Sequence, residues 1–213
     1  MKFGVNPSTL DNPRIAFKEG KVVHLTQRGF SLVEVLISII ILSFGLLGMV
    51  GLQAAAIQAN REAKTQSSAS SFARELAEMM RRNRNIGVLT SGNPYMGNFT
   101  SPLAPTTASY CLKVGNTACS TATDVANAEM TEWLSRVDAE LPGARVSVCV
   151  DSAPFTSGGM PQWTCTSSGT AATTVIKIGW TRGSTDRSAS GSAALDRATT
   201  PGIVLPVAIG SML

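Results

Sequence analysis

The chain has 213 residues, a formal net charge of +4, and 44% hydrophobic against 15% charged residues. So low a charged fraction without a shortage of apolar residues excludes a disordered polyelectrolyte, and four cysteines are too few for a disulfide-dense miniprotein. The length suits one ordinary domain, or one domain with an appendage. Gly, Ser, Thr and Ala are plentiful after residue 90, which fits a loop-rich exported β domain better than a compact cytosolic enzyme.

Residues 1–29 are basic, with Lys2, Arg14, Lys18, Lys21 and Arg28 against Asp11 and Glu19. Phe30 to Leu52 then reads FSLVEVLISIIILSFGLLGMVGL, interrupted only by Ser31, Glu34, Ser38 and Ser43. As a helix, this run is long enough to cross a hydrocarbon core of about 30 Å. A buried core helix is the plainest reading, but one this long and apolar all round does not suit so short a chain. A secretory signal peptide cut near Ala54-Ala55-Ala56 is the second reading. The run exceeds the usual h-region of about 7–15 residues. It also carries a carboxylate, and its helical pattern continues past Ala56. The third reading, adopted here, is a membrane anchor with its basic end in the cytoplasm. It places everything after Leu52 outside the cytoplasm.

Glu34 is the informative residue of this segment. A carboxylate near the membrane interior costs roughly 2.5–3.5 kcal/mol on insertion scales, so it signals function by default. It follows Phe30 by four residues, on the same face of a helix. A cut between Gly29 and Phe30 would create an ammonium group one turn away, and the helix macrodipole would favour Glu34 in that first turn. The plain alternative is a glutamate lying at the lipid headgroups.

Arg28-Gly29-Phe30-Ser31-Leu32-Val33-Glu34 followed by an apolar helix resembles the class III signal of type IV pilins and type II secretion pseudopilins. The resemblance implies cleavage after Gly29 by prepilin peptidase, N-methylation of Phe30, and pairing of Glu34 with the amino terminus of an adjacent subunit during filament assembly. Over residues 28–85 the chain is most similar to the PilV minor pilins. The leader departs from that group, in which 29 residues is long. The implied fold is α+β, the type IV pilin fold, with a long N-terminal helix packed on an antiparallel β-sheet. The implied divisions are a leader over 1–29, a transmembrane and assembly helix over 30–52, the periplasmic half of the helix over 53–85, and a periplasmic β-rich domain over 86–213.

Helical periodicity continues to about Asn85. Ala69, Phe72, Ala73, Leu76, Ala77 and Met80 form one apolar face. Arg74, Glu75, Glu78, Arg81 and Arg82 occupy the rest, with Glu78 and Arg82 in the favoured i,i+4 order. One helix of about 55 residues would be roughly 80 Å long. Gly45, Gly48 and Gly51 recur every three residues. They fit either close packing of helices in the membrane or a point of helix flexibility, since each costs about 1 kcal/mol relative to Ala. No proline lies between Gly29 and Asn93.

Asn93-Pro94 ends the helical region, and a loop runs to Ser109. Tyr110–Val114 is a candidate first strand. Asp124–Leu141 reads as an amphipathic helix with Met130, Trp133, Leu134, Val137 and Leu141 inward, Thr123 or Asp124 as cap and Pro142-Gly143 as stop. Arg145–Val150, Thr174–Thr181 and Ile203–Ile209 alternate as strands, the last demoted to an edge or bulge by Pro206. Asp151–Gln162 and Gly183–Thr200 read as loops. An antiparallel sheet can leave one face in water. The other needs a cover, which the Phe72/Leu76/Met80 stripe supplies.

Cys111, Cys119, Cys149 and Cys165 lie beyond the apolar segment, where oxidation is permitted. Four cysteines allow three pairings. The sequence-local one, Cys111–Cys119 and Cys149–Cys165, is preferred over the others, and over a zinc site that would lack both a C-x₂-C pair and a histidine. The single histidine, His24, leaves with the leader, so the mature chain would have no Ser-His-Asp or Cys-His catalysis. There is no phosphate-binding glycine motif behind a strand. The expectation is no enzyme, no cofactor and no metal. Loss of the leader takes the formal charge from +4 to +1. Arg81, Arg82 and Arg84 remain the only tight basic cluster, better read as a solvated helix end than as a phosphate-binding patch.

These features point to a minor pilin precursor that primes or modifies a type IV pilus, held first in the bacterial inner membrane by one pass and then in the fibre. The implied partners are other minor pilins, the major pilin, prepilin peptidase and the inner-membrane assembly platform, with nucleic acid unlikely. A type II secretion pseudopilin and a pilus-associated adhesin or DNA-binding minor pilin are the alternatives.

Overall fold

The computed structural model of the chain describes residues 29–169, 172–184, 188 and 190–210. The leader reading, with Arg28 and His24, falls outside the described residues apart from Gly29. The chain divides into two compact units at Val50/Gly51. In the first, the described residues form the start of helix α1, which spans Leu32–Arg82.

In the second unit, α1 changes character. Ala69, Phe72, Ala73, Leu76, Ala77 and Met80 are all buried, which realises the expected stripe. Met79 joins them and widens it. The helix ends at Arg82, three residues before the expected Asn85, and a single turn, α2 (Arg84–Gly87), follows. Gly87 permits this fold-back: a Cβ there would stand 2.5 Å from the Met80 carbonyl oxygen. The expected Glu78–Arg82 pair does not form. Glu78 binds Arg81 instead, and Arg82 reaches Glu129 at 3.3 Å.

The remaining elements are β1 (Gly97–Thr100), α3 (Ala122–Glu140), β2 (Arg145–Asp151), β3 (Thr173–Gly179), β4 (Thr181–Gly183), β5 (Leu195–Arg197) and β6 (Ile203–Val207). A 3₁₀ turn, Gly191–Ala194, precedes β5. The main sheet has the order β1-β2-β3-β6 and is antiparallel throughout. Its register aligns Phe99 with Val146, Val146 with Ile178, and Ile178 with Ile203. These residues share a core with the α1 stripe and with Met130, Trp133, Leu134 and Val137 of α3. Trp133 ties the two helices together: its indole N–H donates to the Phe72 carbonyl at 3.2 Å, and its ring meets Phe72 edge-on at 6.2 Å. The architecture is therefore α+β, a long helix packed on an antiparallel sheet.

Several boundaries differ from expectation. Tyr110–Val114 is no strand but a pair of turns, closed by the Lys113 and Asn116 amides on the carbonyls of Tyr110 and Lys113. Gly115, at φ +89°, completes this tight path. The first strand is instead Gly-Asn-Phe-Thr, in a stretch read as loop because Phe99 is its only large apolar residue. The cap of α3 is Thr121, not Thr123 or Asp124. Its hydroxyl accepts from the Asp124 amide at 3.1 Å while the Asp124 carboxylate accepts from the Thr121 amide at 3.0 Å, a capping box. The Ser120 and Thr121 hydrogen bonds lower the Asp124 carboxyl below its ordinary pKa. The stretch 183–200, read as loop, contributes β5, which pairs with β4. Pro206 lies in an edge strand, where its missing amide is tolerated.

The far face of the sheet is not solvated. Ser147, Asp151, Val175 and Lys177 are buried there. The chain between β2 and β3 is fastened over it by the Cys149–Cys165 disulfide and by Lys177, whose ammonium donates to the Thr164 carbonyl at 2.8 Å. Trp163 lies within the same segment. Its indole N–H donates to the Ala198 carbonyl at 3.0 Å, and the Arg145 guanidinium stacks 4.3 Å over its ring.

Candidate functional site

Gly29, Phe30 and Ser31 precede the first turn of α1, and the Ser31 carbonyl accepts from the amides of Glu34 (3.0 Å) and Val35 (3.3 Å). Glu34 therefore stands in the first turn, where the amide ends of the helix favour a negative charge. Among the described residues it makes no ion pair. Phe30 is 82% exposed.

Every residue from Gly29 to Arg61 is exposed, including the leucines, isoleucines and valines after Phe30. A helix apolar all round requires an apolar surround or like partners. Each such side chain contributes about 1.5–3 kcal/mol when fully buried. Ser38 and Ser43, the other polar interruptions, turn their hydroxyls onto the carbonyls of Glu34 and Ile39, both at 2.7 Å. That satisfies each hydroxyl donor within the helix. Among the described residues, α1 is the helix long and apolar enough to cross a membrane.

Gly45, Gly48 and Gly51 lie within continuous helix. A Cβ at any of them would meet nothing within 4 Å, so the glycine row leaves the helix surface open rather than filling a contact inside the chain.

The other residues singled out from sequence lie in the second unit. Cys111 is joined to Cys119, and Cys149 to Cys165, leaving no free thiol. Cys149, Cys165 and Asp151 stand together, but this is not a metal set. The sulfurs are bonded to one another. Asp151 is ion-paired with Lys177 (2.6 Å) and accepts from the amides of Ala153 (2.9 Å) and Thr166 (3.0 Å). Burial opposes ionisation of Asp151, but the Lys177 ammonium and the two amides outweigh it and hold its pKa below the ordinary value.

Two of the three arginines of the basic cluster have acidic partners. Arg81 binds Glu78 and the Ala208 carbonyl, and Arg82 binds Glu129. The Nε of Arg84 is shielded from solvent. Glu129 also accepts from Tyr95, a fully buried tyrosine that sequence reading missed. Burial first, then the bond to Glu129, pushes the Tyr95 hydroxyl far above its usual range. Its signal was present only as a lone aromatic beside Asn93-Pro94.

Comparison with known families returns two adjoining matches. The prokaryotic N-terminal methylation motif matches residues 25–50, and the family described as type IV pilin Tt1218-like matches residues 51–131. Strands β2 to β6 lie outside both matches. Neither the curated proteins nor the solved structures gave a match.

Proposed function

The chain belongs to the type IV pilin family, and on that premise we propose that it is a minor pilin precursor of the PilV type, which primes or modifies a type IV pilus. The observation that carries the reading is the exposed apolar start of α1, with a carboxylate in its first turn that makes no ion pair among the described residues, and the Gly29–Phe30 bond just before it. Prepilin peptidase cuts that bond and the new amino group of Phe30 is methylated. The chain stays in the inner membrane through residues 30–52, with its globular domain in the periplasm. It leaves the bilayer by exchanging lipid for similar helices in the fibre.

Glu34 gives the exchange its register. Two unit charges at 4 Å attract by about 4 kcal/mol at an effective dielectric of 20. That is comparable to the ~2.5–3.5 kcal/mol cost of an acidic residue in the bilayer. Pairing with a neighbour's Phe30 ammonium therefore offsets the cost only in the assembled state. Gly45, Gly48 and Gly51 serve as the place where α1 yields during extraction. The globular domain caps or decorates the fibre, as a structural part and not as an enzyme. Other minor pilins, the major pilin and the assembly platform are its partners.

Mass spectrometry of the amino terminus of the membrane-extracted protein tests the processing. A mature chain beginning at N-methylated Phe30 is expected, and one beginning at Met1 or Ile57 would overturn the reading. Deletion of the gene separates the pilus from a type II secretion pseudopilus: loss of twitching with exoprotein export intact supports the pilus.

A further inference from the structure

We infer that the start of the second unit, where α1 leaves the proposed bilayer, seats on anionic phospholipid headgroups through Arg61, Lys64 and Arg197. The inference rests on the proposed membrane anchorage of residues 30–52. α1 runs unbroken from Leu32 to Arg82, and Ile57 is the last of its large exposed apolar side chains. Arg61 follows one turn later. At 1.5 Å per residue it stands roughly 13 Å beyond Leu52, of which the headgroup layer takes about 5–7 Å. Helical side chains lean toward the N-terminus, here the bilayer side. That lean brings the Arg61 guanidinium within the ~8–10 Å Debye length of the lipid phosphates.

A second element stands at this level. The β4–β5 ribbon is drawn onto α1 by Arg182, whose guanidinium lies 4.0 Å from Glu62 and 3.5 Å from Asp196. The ribbon reaches back along α1 as far as Gln58, the residue after Ile57: a Cβ at Gly183 would lie 3.8 Å from the Gln58 side-chain nitrogen. Leu195, the register partner of Gly183, is half-exposed there. Leu195 and Arg197 lie two apart on β5 and so share one face of the ribbon, opposite Asp196.

The charges at this end do not cancel. Over residues 51–68 of α1 and along β4 and β5, the cations Arg61, Lys64, Arg182 and Arg197 stand against Glu62 and Asp196. Both carboxylates are taken up by Arg182. Arg61, Lys64 and Arg197 are exposed and make no ion pair among the described residues. Asp186 and Arg187, between β4 and β5 in sequence, add one charge of each sign. The surplus selects an anionic surface. Its cations lie on two separate elements, which suits the many phosphates of a bilayer better than one small anion. Lys and Arg just outside a membrane also run against their usual cytoplasmic bias, an exception that headgroup contact explains. Each cation close to such a surface strengthens the contact about fivefold.

The test reconstitutes the membrane-extracted chain in bicelles that carry a trace of lipid with a nitroxide on its headgroup, and follows paramagnetic broadening of the backbone amides. With phosphatidylglycerol in the bicelle, broadening at Arg182 and Leu195 should exceed that in phosphatidylcholine alone by at least about threefold. Salt at about 1 M, where the Debye length is ~3 Å, should abolish the difference. So should Arg61→Gln, Lys64→Gln and Arg197→Gln combined, at three exposed positions outside the core. Equal broadening in the two lipids, or a difference that survives the triple variant, would overturn the inference. Saturable shifts of the same resonances by inorganic phosphate in phosphatidylcholine bicelles would also overturn it, in favour of a site for a free anion. A nitroxide on the acyl chain separates the headgroup contact from the anchorage. Broadening at residues 35–50 with no lipid dependence at Arg182 refutes the contact alone, whereas no broadening at residues 35–50 refutes both.

Discussion

Lys177→Met isolates the one ion pair that is completely buried among the described residues. Both side chains are 0% exposed, with Nζ 2.6 Å from Asp151 Oδ2 and 2.8 Å from the Thr164 carbonyl. Methionine fills much of the same volume but removes the charge. Asp151 would keep its two amide donors and lose its counter-ion. Removing one partner of a buried pair costs about 3–5 kcal/mol, a large part of an ordinary stability of roughly 5–15 kcal/mol. For a domain of this size the midpoint of thermal unfolding should fall by on the order of 10 °C. The pH dependence carries the second half of the test. In the wild type the Asp151 pKa is lowered on folding. Its contribution is therefore complete above the ordinary carboxylate pKa of about 3.9 and is lost as pH falls through the folded value. In Lys177→Met the buried carboxylate accepts a proton more readily, so the deficit relative to wild type narrows between pH 7 and pH 4. Urea unfolding at both pH values measures this. A loss below about 1 kcal/mol at pH 7, or a deficit that widens toward pH 4, would refute the reasoning.

Three further outcomes follow from the same packing. Replacing Cys149 and Cys165 together by Ser should cost about 3 kcal/mol in the chain-entropy account, and replacing Cys111 and Cys119 about 2.5 kcal/mol, because the first pair closes the longer loop; chemical denaturation of each variant gives the order. Gly179→Ala would bring a Cβ to 2.8 Å from the Trp163 ring, so a loss of about 1–3 kcal/mol is expected, with a change in near-ultraviolet circular dichroism from the displaced indole. Leu76→Ala, at a position 0% exposed between α1 and the sheet, should cost about 2–5 kcal/mol in the same unfolding assay.

The sequence was legible where one physical signal dominated. The α1 stripe from Ala69 to Met80 and the alternation at Val146, Val148, Ile176 and Ile178 each set an apolar face, and those faces meet in the core. Pro206 marked an edge strand because an imide nitrogen cannot serve an interior ladder. Weak or misleading signals failed. Tyr110, Leu112 and Val114 alternate like a strand, yet a strand needs a neighbour, and this stretch is bent into turns with its apolar side chains exposed. β1 carries one large apolar residue, so only its pairing with β2 makes it a strand. The covered far face was hidden because a lysine and an aspartate, Lys177 and Asp151, give no apolar signal for burial. Only the fold shows that they neutralise each other beneath the β2–β3 segment. The segment proposed to act in assembly is a different case: Gly29, Phe30 and Glu34 are singled out by local chemistry and a family resemblance, and their proposed partner is in another chain.

Incorporation of Glu34→Leu into sheared fibres, scored alongside its processing in the membrane, bears most directly on the proposed charge pairing. The account predicts a chain cut at the same bond and methylated on Phe30, retained in the inner membrane and missing from the fibre. Fibres containing the variant at the wild-type level would contradict it.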